Sequence, residues 1–146
     1  MLIHQDVYEE VMERVAEEAK NIKIGPEMCA DTTMGPLVSR EQQEKVMNYI
    51  RSGEQAGARI LTGGKAGSMQ SDCYVEPTVF DNVNPDMKIV AEEIFGPVVV
   101  AAPFEDLDAV IVRGNDTEYG LAASVWTKIS TRLIKWRKDS KPEQYG

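Results

Sequence analysis

The sequence predicts an α/β fold, and three observations support this class. Apolar residues recur at helical spacing in N-terminal segments, short apolar runs between turn residues are typical of strands, and a third helical pattern falls between the last two runs. The predicted order is helix, helix, strand, strand, strand, helix, strand. At 146 residues and 42% hydrophobic content, the chain is long enough to bury a core within one domain.

The first predicted helix covers residues 7 to 21. Asp6 and Glu9 have the spacing of a capping box, and five apolar residues follow at helical spacing: Val7, Val11, Val15, Ala19 and Ile22. The opposite face is rich in glutamate, which we interpret as a solvated surface because nothing brings those side chains to one point.

The second predicted helix begins at another capping box, formed by Ser39 and Gln42, after a loop with two Gly-Pro steps. Its apolar and small residues lie on one face, which suits packing against a sheet: Val46, Tyr49, Ile50, Gly53 and Ala56. Gly57 ends this helix.

Four segments are predicted as strands. Residues 58–62 form the first, and residues 74–80 form the second, where Pro77 favours an edge position or a bulge. The continuous apolar run 98–102 is typical of a strand buried on both faces, as in parallel sheets. A helix capped by Asp106 then precedes a last apolar strand, residues 121–127.

Charge and cysteine content exclude several classes of function. The net charge of −8 opposes binding to nucleic acid, and no apolar run approaches the length that spans a membrane. Met1 to His4 lacks the features of a secretion signal, so we expect a cytoplasmic protein. Cys29 and Cys73 are expected to be ordinary reduced thiols, and no metal site is predicted. His4 is interpreted as the solvent-facing end of a strand.

The stretch IVAEEIFGPVVVAAPF at residues 89–104 raises a specific question. Two adjacent carboxylates, Glu92 and Glu93, lie between apolar residues just before a Gly-Pro turn. Charged side chains are rarely buried without a partner, so this pair of glutamates needs one.

Three phrases together resemble the NAD(P)-dependent aldehyde dehydrogenase superfamily: TMGPLVSREQ at 33–42, EEIFGPVV at 92–99 and NDTEYGLAASVWT at 115–127. EPTVF at 76–80 agrees with them. The resemblance covers residues 2 to about 127 and implies part of a catalytic domain with an open, largely parallel sheet flanked by helices. Residues 128–146 form a divergent basic tail with an apolar stripe, for which a terminal helix is predicted.

The resemblance implies that Glu93 and Phe95 bind the cofactor. In the family, the second glutamate of this motif accepts hydrogen bonds from the nicotinamide ribose, and the phenylalanine packs beside the nicotinamide. A carboxylate suits a diol because it only accepts hydrogen bonds. Two other readings stay open: Glu93 in a structural ion pair and Phe95 in the core. Glu92 is expected to face solvent or to pair with Lys88.

The family's nucleophilic cysteine, general-base glutamate and cofactor-binding domain are expected upstream of this segment, so no residue of the chain is predicted to be catalytic. Neither Cys29 nor Cys73 has a neighbouring base that would activate it. The sequence thus predicts a truncated aldehyde dehydrogenase, inactive alone, whose family uses NAD or NADP and a small aldehyde. The alternatives are a non-catalytic association module, joined through exposed sheet surfaces, and a folded relic.

Overall fold

A computed structural model describes residues 1–67 and 73–128, and the chain divides into two compact units, Met1–Pro103 and Phe104–Gly146. The first unit contains helices on both sides of a small sheet, so the predicted α/β class is confirmed. No helix among the described residues is long and apolar enough to cross a membrane.

The first helix, α1 (Tyr8–Asn21), follows strand β1 (Leu2–His4) and a single 3-10 turn (Gln5–Val7). The helix prediction is confirmed, but the predicted cap at Asp6 is wrong. The 3-10 turn includes Asp6, whose backbone N–H donates to Nδ1 of His4 at 3.3 Å, and the residue before α1 is Val7, which has no capping side chain. His4 does end a strand, as predicted.

The second helix, α2 (Arg40–Gln55), begins where the sequence predicts. Ser39 Oγ accepts a hydrogen bond from the backbone N–H of Gln42 at 3.1 Å, which satisfies one of the free N–H groups of the first turn. Val46 and Ile50 are fully buried on the predicted inner face, whereas Ala56 lies beyond the helix and is exposed.

Strands β2 (Arg59–Thr62), β3 (Thr78–Asp81) and β4 (Val98–Val100) form one sheet in the order β2-β3-β4. β2 runs antiparallel to β3 with an irregularity between Ile60 and Thr62, and β4 runs parallel to β3. Of the two alternatives predicted for the second strand, the edge position is wrong because β3 is central, whereas the β2–β3 ladder does contain an irregularity, opposite Val79 and Phe80. Pro77 is tolerated because it precedes β3, so its missing N–H lies outside the strand.

Helices cover both faces of β3, whose four residues are all buried. Phe80 belongs to a cluster under α2, to which the short helix α3 (Lys88–Ala91) adds Ile89. Val79 points to the other side, where it joins a cluster with Met12 of α1. The sheet is therefore a thin layer between α1 and α2, as the alternation of side chains along a strand requires.

Strand β5 (Ala102–Phe104) pairs with β1, and the second unit then contains helix α4 (Leu107–Asn115). The predicted cap is confirmed, since Asp106 Oδ1 accepts from the N–H of Asp108 at 3.1 Å. The strand predicted at 121–127 is wrong: the residues are irregular, and Trp126 is 93% exposed. An apolar run forms a strand only beside another strand, and no described strand pairs with it. The predicted tail helix lies outside the described residues, apart from Lys128.

Candidate functional site

The segment 92–97 connects α3 to β4 and contains both residues that the sequence assigns to cofactor binding. Ile94 packs against the cluster under α2, whereas Glu93 and Phe95 on either side of it are exposed, and Phe95 is 73% exposed. This alternation places the two candidate side chains on the outside of the segment while the residue between them packs against the core. Phe95 is therefore not a core residue.

The two adjacent glutamates have different surroundings. Tyr49 of α2 donates its hydroxyl to Oε2 of Glu92 at 2.8 Å, and Lys88 Nζ lies 3.8 Å from Oε1. The expected pairing of Glu92 with Lys88 is present, but the closer partner is Tyr49, which the sequence did not indicate. The carboxylate of Glu93 faces solvent and has no hydrogen-bond partner among the described residues.

A second contact fixes the other end of the segment. Nε2 of Gln42 donates to the backbone carbonyl of Phe95 at 2.7 Å. The carbonyl of Pro97 then accepts from the N–H of Thr78 at 2.9 Å, which joins the segment to β3. The Gly-Pro turn predicted at this point thus leads the chain directly into the sheet.

Gly96 is required by the close approach of this segment to α2. A Cβ atom at this position would lie 2.5 Å from Cγ2 of Val46, closer than side-chain carbons pack. Val46 is fully buried and has little room to move. Any larger residue at 96 would push the segment away from the helix.

Two of the motifs that carry the family resemblance converge on one cleft of about 540 Å³. One wall is the loop from Met34 to Leu37, within TMGPL, and the opposite wall is the segment from Ile94 to Pro97, within EEIFGP. Val75 lies between them. Exposed Phe95 is part of this lining, so an aromatic face borders an apolar cleft, a common setting for a flat ligand.

The donors and acceptors present suit a sugar diol at Glu93. A carboxylate with no described protein partner retains its full capacity to accept two hydroxyl donors, and such charge-assisted bonds are among the stronger hydrogen bonds. The neighbouring Phe95 ring offers a face for stacking. Among the described residues, no group of three His, Cys, Asp or Glu side chains is placed to hold a metal ion.

Neither cysteine belongs to the cleft lining. Cys29 is exposed in a tight turn, where its N–H donates to the carbonyl of Pro26, and Cys73 is half-buried beside Leu37. Both are free thiols. The described residues thus present candidate binding groups at 93 and 95.

Sequence reasoning missed Gln42 and Tyr49 as the groups that hold the segment 92–97. Gln42 was interpreted as half of a capping box, and its backbone N–H does take part in the cap, but its side chain reaches across to Phe95. The available signal was their spacing: residues 42, 46 and 49 lie on one helix face.

Comparisons with known proteins find relatives that align with most of the chain. The model of the aldehyde dehydrogenase family matches residues 1–142. A putative aldehyde dehydrogenase, DhaS, from Bacillus subtilis is 47% identical over 128 residues, covering 88% of this chain and 26% of that protein. Betaine aldehyde dehydrogenase from Brucella anthropi is 44% identical over 130 residues, covering 87% of this chain and 27% of that protein.

A solved structure has the same fold. The NAD+ complex of an aldehyde dehydrogenase from Bacillus cereus aligns with a TM-score of 0.91 at 44% identity, covering 96% of this chain and 28% of that chain. The chain therefore spans about a quarter of the length of these relatives. With a family match over nearly all its residues, the chain belongs to the aldehyde dehydrogenase family.

Proposed function

We propose that this chain supplies the nicotinamide-side contacts of an NAD(P)-dependent aldehyde dehydrogenase, with Glu93 accepting hydrogen bonds from the ribose diol and Phe95 packing beside the nicotinamide ring. The observation that carries the proposal is the exposure of both side chains on one anchored segment, beside a cleft bordered by two family motifs. NAD(P)+, when bound, accepts a hydride from the substrate. The residues of this chain contribute binding and orientation to that chemistry.

The proposal includes an aldehyde as the substrate of the whole enzyme and NAD or NADP as its cofactor. Support for NAD comes from the Bacillus cereus relative, which was solved as an NAD+ complex. The domain boundaries also remain proposals, with catalytic-domain residues at 1–127 and a basic tail at 128–146. A cytoplasmic location stays a prediction from the sequence.

Cofactor binding by the 146-residue chain is the direct test. Titration of the purified chain with NADH, followed by fluorescence, is expected to give weak saturable binding. Glu93→Gln removes the charge and is expected to weaken binding about tenfold or more, as loss of a charge-assisted bond does. Glu13→Gln, at an exposed glutamate of α1, serves as the matched control and should leave binding unchanged. Binding that ignores Glu93→Gln would contradict the assignment.

We propose that the chain alone does not oxidise aldehydes. Incubation with NAD+ and several aldehydes is expected to produce no NADH absorbance. The exposed thiol of Cys29 is the residue to check, since it is the more accessible of the two free cysteines. Turnover that disappears in Cys29→Ser would overturn this part of the proposal.

A second candidate function is non-catalytic association with another copy of the chain. Among the described strands, β4 has a neighbour on one side only, and an apolar groove of about 550 Å³ lies between α1 and β4. Groove residues include Val15, Ala19, Ile22 and Val99. Exposed strand edges and apolar grooves favour self-association. Light scattering that gives a monomer mass at all accessible concentrations would exclude this candidate.

A further inference from the structure

One face of α2 lies along the segment that carries Glu93 and Phe95. Residues Gln42, Val46 and Tyr49 follow the i, i+4, i+7 spacing that places side chains in a row on a helix. Each of the three approaches the segment between Glu92 and Gly96: Gln42 contacts Phe95, Val46 lies against Gly96 and Tyr49 contacts Glu92. These three side chains of α2 therefore form a surface against which the segment packs.

The three contacts differ in chemistry and together define the position of the segment. Tyr49 donates to the Glu92 carboxylate at 2.8 Å, and Gln42 donates to the Phe95 carbonyl at 2.7 Å. Val46, which lies between Gln42 and Tyr49 on the helix, packs its methyl groups against Gly96, the residue after Phe95. Two hydrogen bonds limit sliding along the helix, and the steric contact fixes the distance from it.

The segment contributes little regular structure of its own. Its internal backbone bonds span only two residues, from Gly96 N to Ile94 O at 2.8 Å and from Val98 N to Gly96 O at 2.8 Å. Ile94 adds one apolar contact with the core. Backbone hydrogen bonds hold the two ends of the segment, from Glu92 N to Lys88 O and from Thr78 N to Pro97 O. Between these ends, the side-chain donors of α2 add the hydrogen bonds that help to place residues 93 and 95.

We propose that Gln42 and Tyr49 are positioning residues, which set the directions of Glu93 and Phe95 before any ligand is bound. The inference rests on the proposed function, because it concerns the same two binding side chains. Neither Gln42 nor Tyr49 needs to touch the ligand. Preorganisation of this kind improves affinity by reducing the ordering that binding would otherwise require.

The first test is amide hydrogen exchange in the 146-residue chain without ligand. Gln42→Met and Tyr49→Phe each remove one donor with little change in volume. Both are expected to speed exchange of the Gly96 amide, which donates to the carbonyl of Ile94, about tenfold relative to the amides of α1, the factor expected for loss of one hydrogen bond. Unchanged protection of the Gly96 amide in both variants would overturn the inference.

Matched controls are available within the same unit. Gln43→Met removes a neighbouring glutamine whose Nε2 donates to the carbonyl of Tyr74 at 2.9 Å. Tyr8→Phe removes a hydroxyl that donates to the carbonyl of Ala101 at 3.3 Å. Gln43→Met is not expected to change the exchange of the Gly96 amide relative to α1. Because Tyr8 belongs to α1, exchange in Tyr8→Phe is compared with the amides of α2, and no change at Gly96 is expected there. Equal acceleration in controls and test variants would show a general loss of stability and would also overturn the inference.

Rescue by a conservative change gives a sharper criterion. Glu92→Gln keeps a side-chain oxygen that can accept from Tyr49, whereas Glu92→Leu does not. We expect Glu92→Gln to retain protection of the Gly96 amide and Glu92→Leu to behave like Tyr49→Phe. Identical behaviour of the two Glu92 variants would contradict a role for this hydrogen bond.

NADH titration separates positioning from general stability. If Gln42 acts through Glu93, the combined loss of affinity in Gln42→Met/Glu93→Gln is expected to be smaller than the product of the single losses. Fully independent losses would overturn the inference. If the wild-type chain binds no NADH, the proposed function fails for this chain, and hydrogen exchange alone decides whether α2 positions the segment.

Discussion

Arg59 and Asp81 form a two-point ion pair across the antiparallel strands β2 and β3, where they are register partners. Nε of Arg59 donates to Oδ1 of Asp81 at 2.8 Å, and Nη2 donates to Oδ2. The Arg59 side chain is 63% exposed, whereas that of Asp81 is 4% exposed. An exposed cation thus satisfies a buried carboxylate at the end of the central strand, and the hydrogen bonds that Arg59 donates to Asp81 raise the pKa of Arg59 above its ordinary value.

Removing Arg59 alone is expected to destabilise the chain more than removing both partners. Arg59→Leu leaves Asp81 buried and unpaired, which should lower the midpoint of thermal unfolding by roughly 5–10 °C. The double variant Arg59→Leu/Asp81→Leu is expected to recover part of that loss, because no buried charge remains. Circular dichroism melts measure both effects. Arg14→Leu, which breaks an exposed ion pair with Glu10, is the control and should change the midpoint of thermal unfolding little.

Tyr8 is expected to lower the free energy of unfolding at alkaline pH. Burial is the main cause that raises its pKa above 10.0, and the charges of Asp81 and Glu9 raise it further. The unfolded chain therefore loses this proton at a lower pH than the folded chain. The contribution to stability is fully present below pH 10 and is lost as the pH rises through the raised pKa. In urea unfolding above pH 10, wild type should lose stability faster than Tyr8→Phe; parallel curves would contradict the assignment.

The sequence was sufficient where a local pattern determines the structure. Ser39 caps α2 and Asp106 caps α4 because the oxygen of a short polar side chain just before a helix can accept a hydrogen bond from a free N–H group of the first turn. The apolar run predicted as a strand at 98–102 is confirmed in part: residues 98–100 form β4, parallel to β3 but only half-buried, and Ala102 begins the separate strand β5. The cap predicted at Asp6 is wrong because Asp6 lies in an additional 3-10 turn, and α1 begins at Tyr8 instead of residue 7.

Predictions that depended on distant neighbours were less successful. Pro77 suggested an edge, but its position just before β3 allows that strand to be central. The run at 121–127 is apolar enough for a strand, but no described strand lies beside it. At the candidate site, the exposure of Phe95 depends on how segment 92–97 rests on α2, and no local pattern contains the hydrogen bond from Gln42 across 53 positions.

Gly53 and Gly114 both lie within helices, but substitution by alanine is expected to destabilise the protein at Gly53 and to stabilise the helix at Gly114. Alanine favours a helix over glycine by about 1 kcal/mol. At Gly53 a Cβ would lie 2.8 Å from Cδ1 of Ile89 and 3.2 Å from Cε1 of Phe80, and crowding of a packed core costs about 1–3 kcal/mol. At Gly114 nothing lies within 4 Å. Urea unfolding should therefore show that Gly53→Ala destabilises the first unit, whereas amide exchange should show greater protection of α4 in Gly114→Ala. An increase in the free energy of unfolding in Gly53→Ala would contradict the close packing of Ile89 and Phe80 against Gly53.

Gly63 and Gly57 both have positive φ, +78° and +94°, but only Gly63 is crowded. A Cβ at 63 would lie 2.2 Å from the carbonyl oxygen of Pro77, a backbone atom that cannot move without shifting the start of β3. Gly63→Ala is expected to cost about 3 kcal/mol or more, from backbone strain and overlap together. At Gly57 nothing lies within 4 Å, so alanine should cost only the strain, about 1–2 kcal/mol.

Substitution by asparagine distinguishes backbone strain from steric overlap at these two glycines. It adopts positive φ more readily than alanine, so Gly57→Asn should recover part of the loss seen in Gly57→Ala. Gly63→Asn should recover none, because its Cβ meets the same carbonyl of Pro77. Urea unfolding of the four variants gives the comparison. Equal losses for alanine at both positions would mean that the approach of Pro77 to Gly63 is not a packing constraint, and the turn that leads β2 toward β3 would then be held by backbone conformation alone.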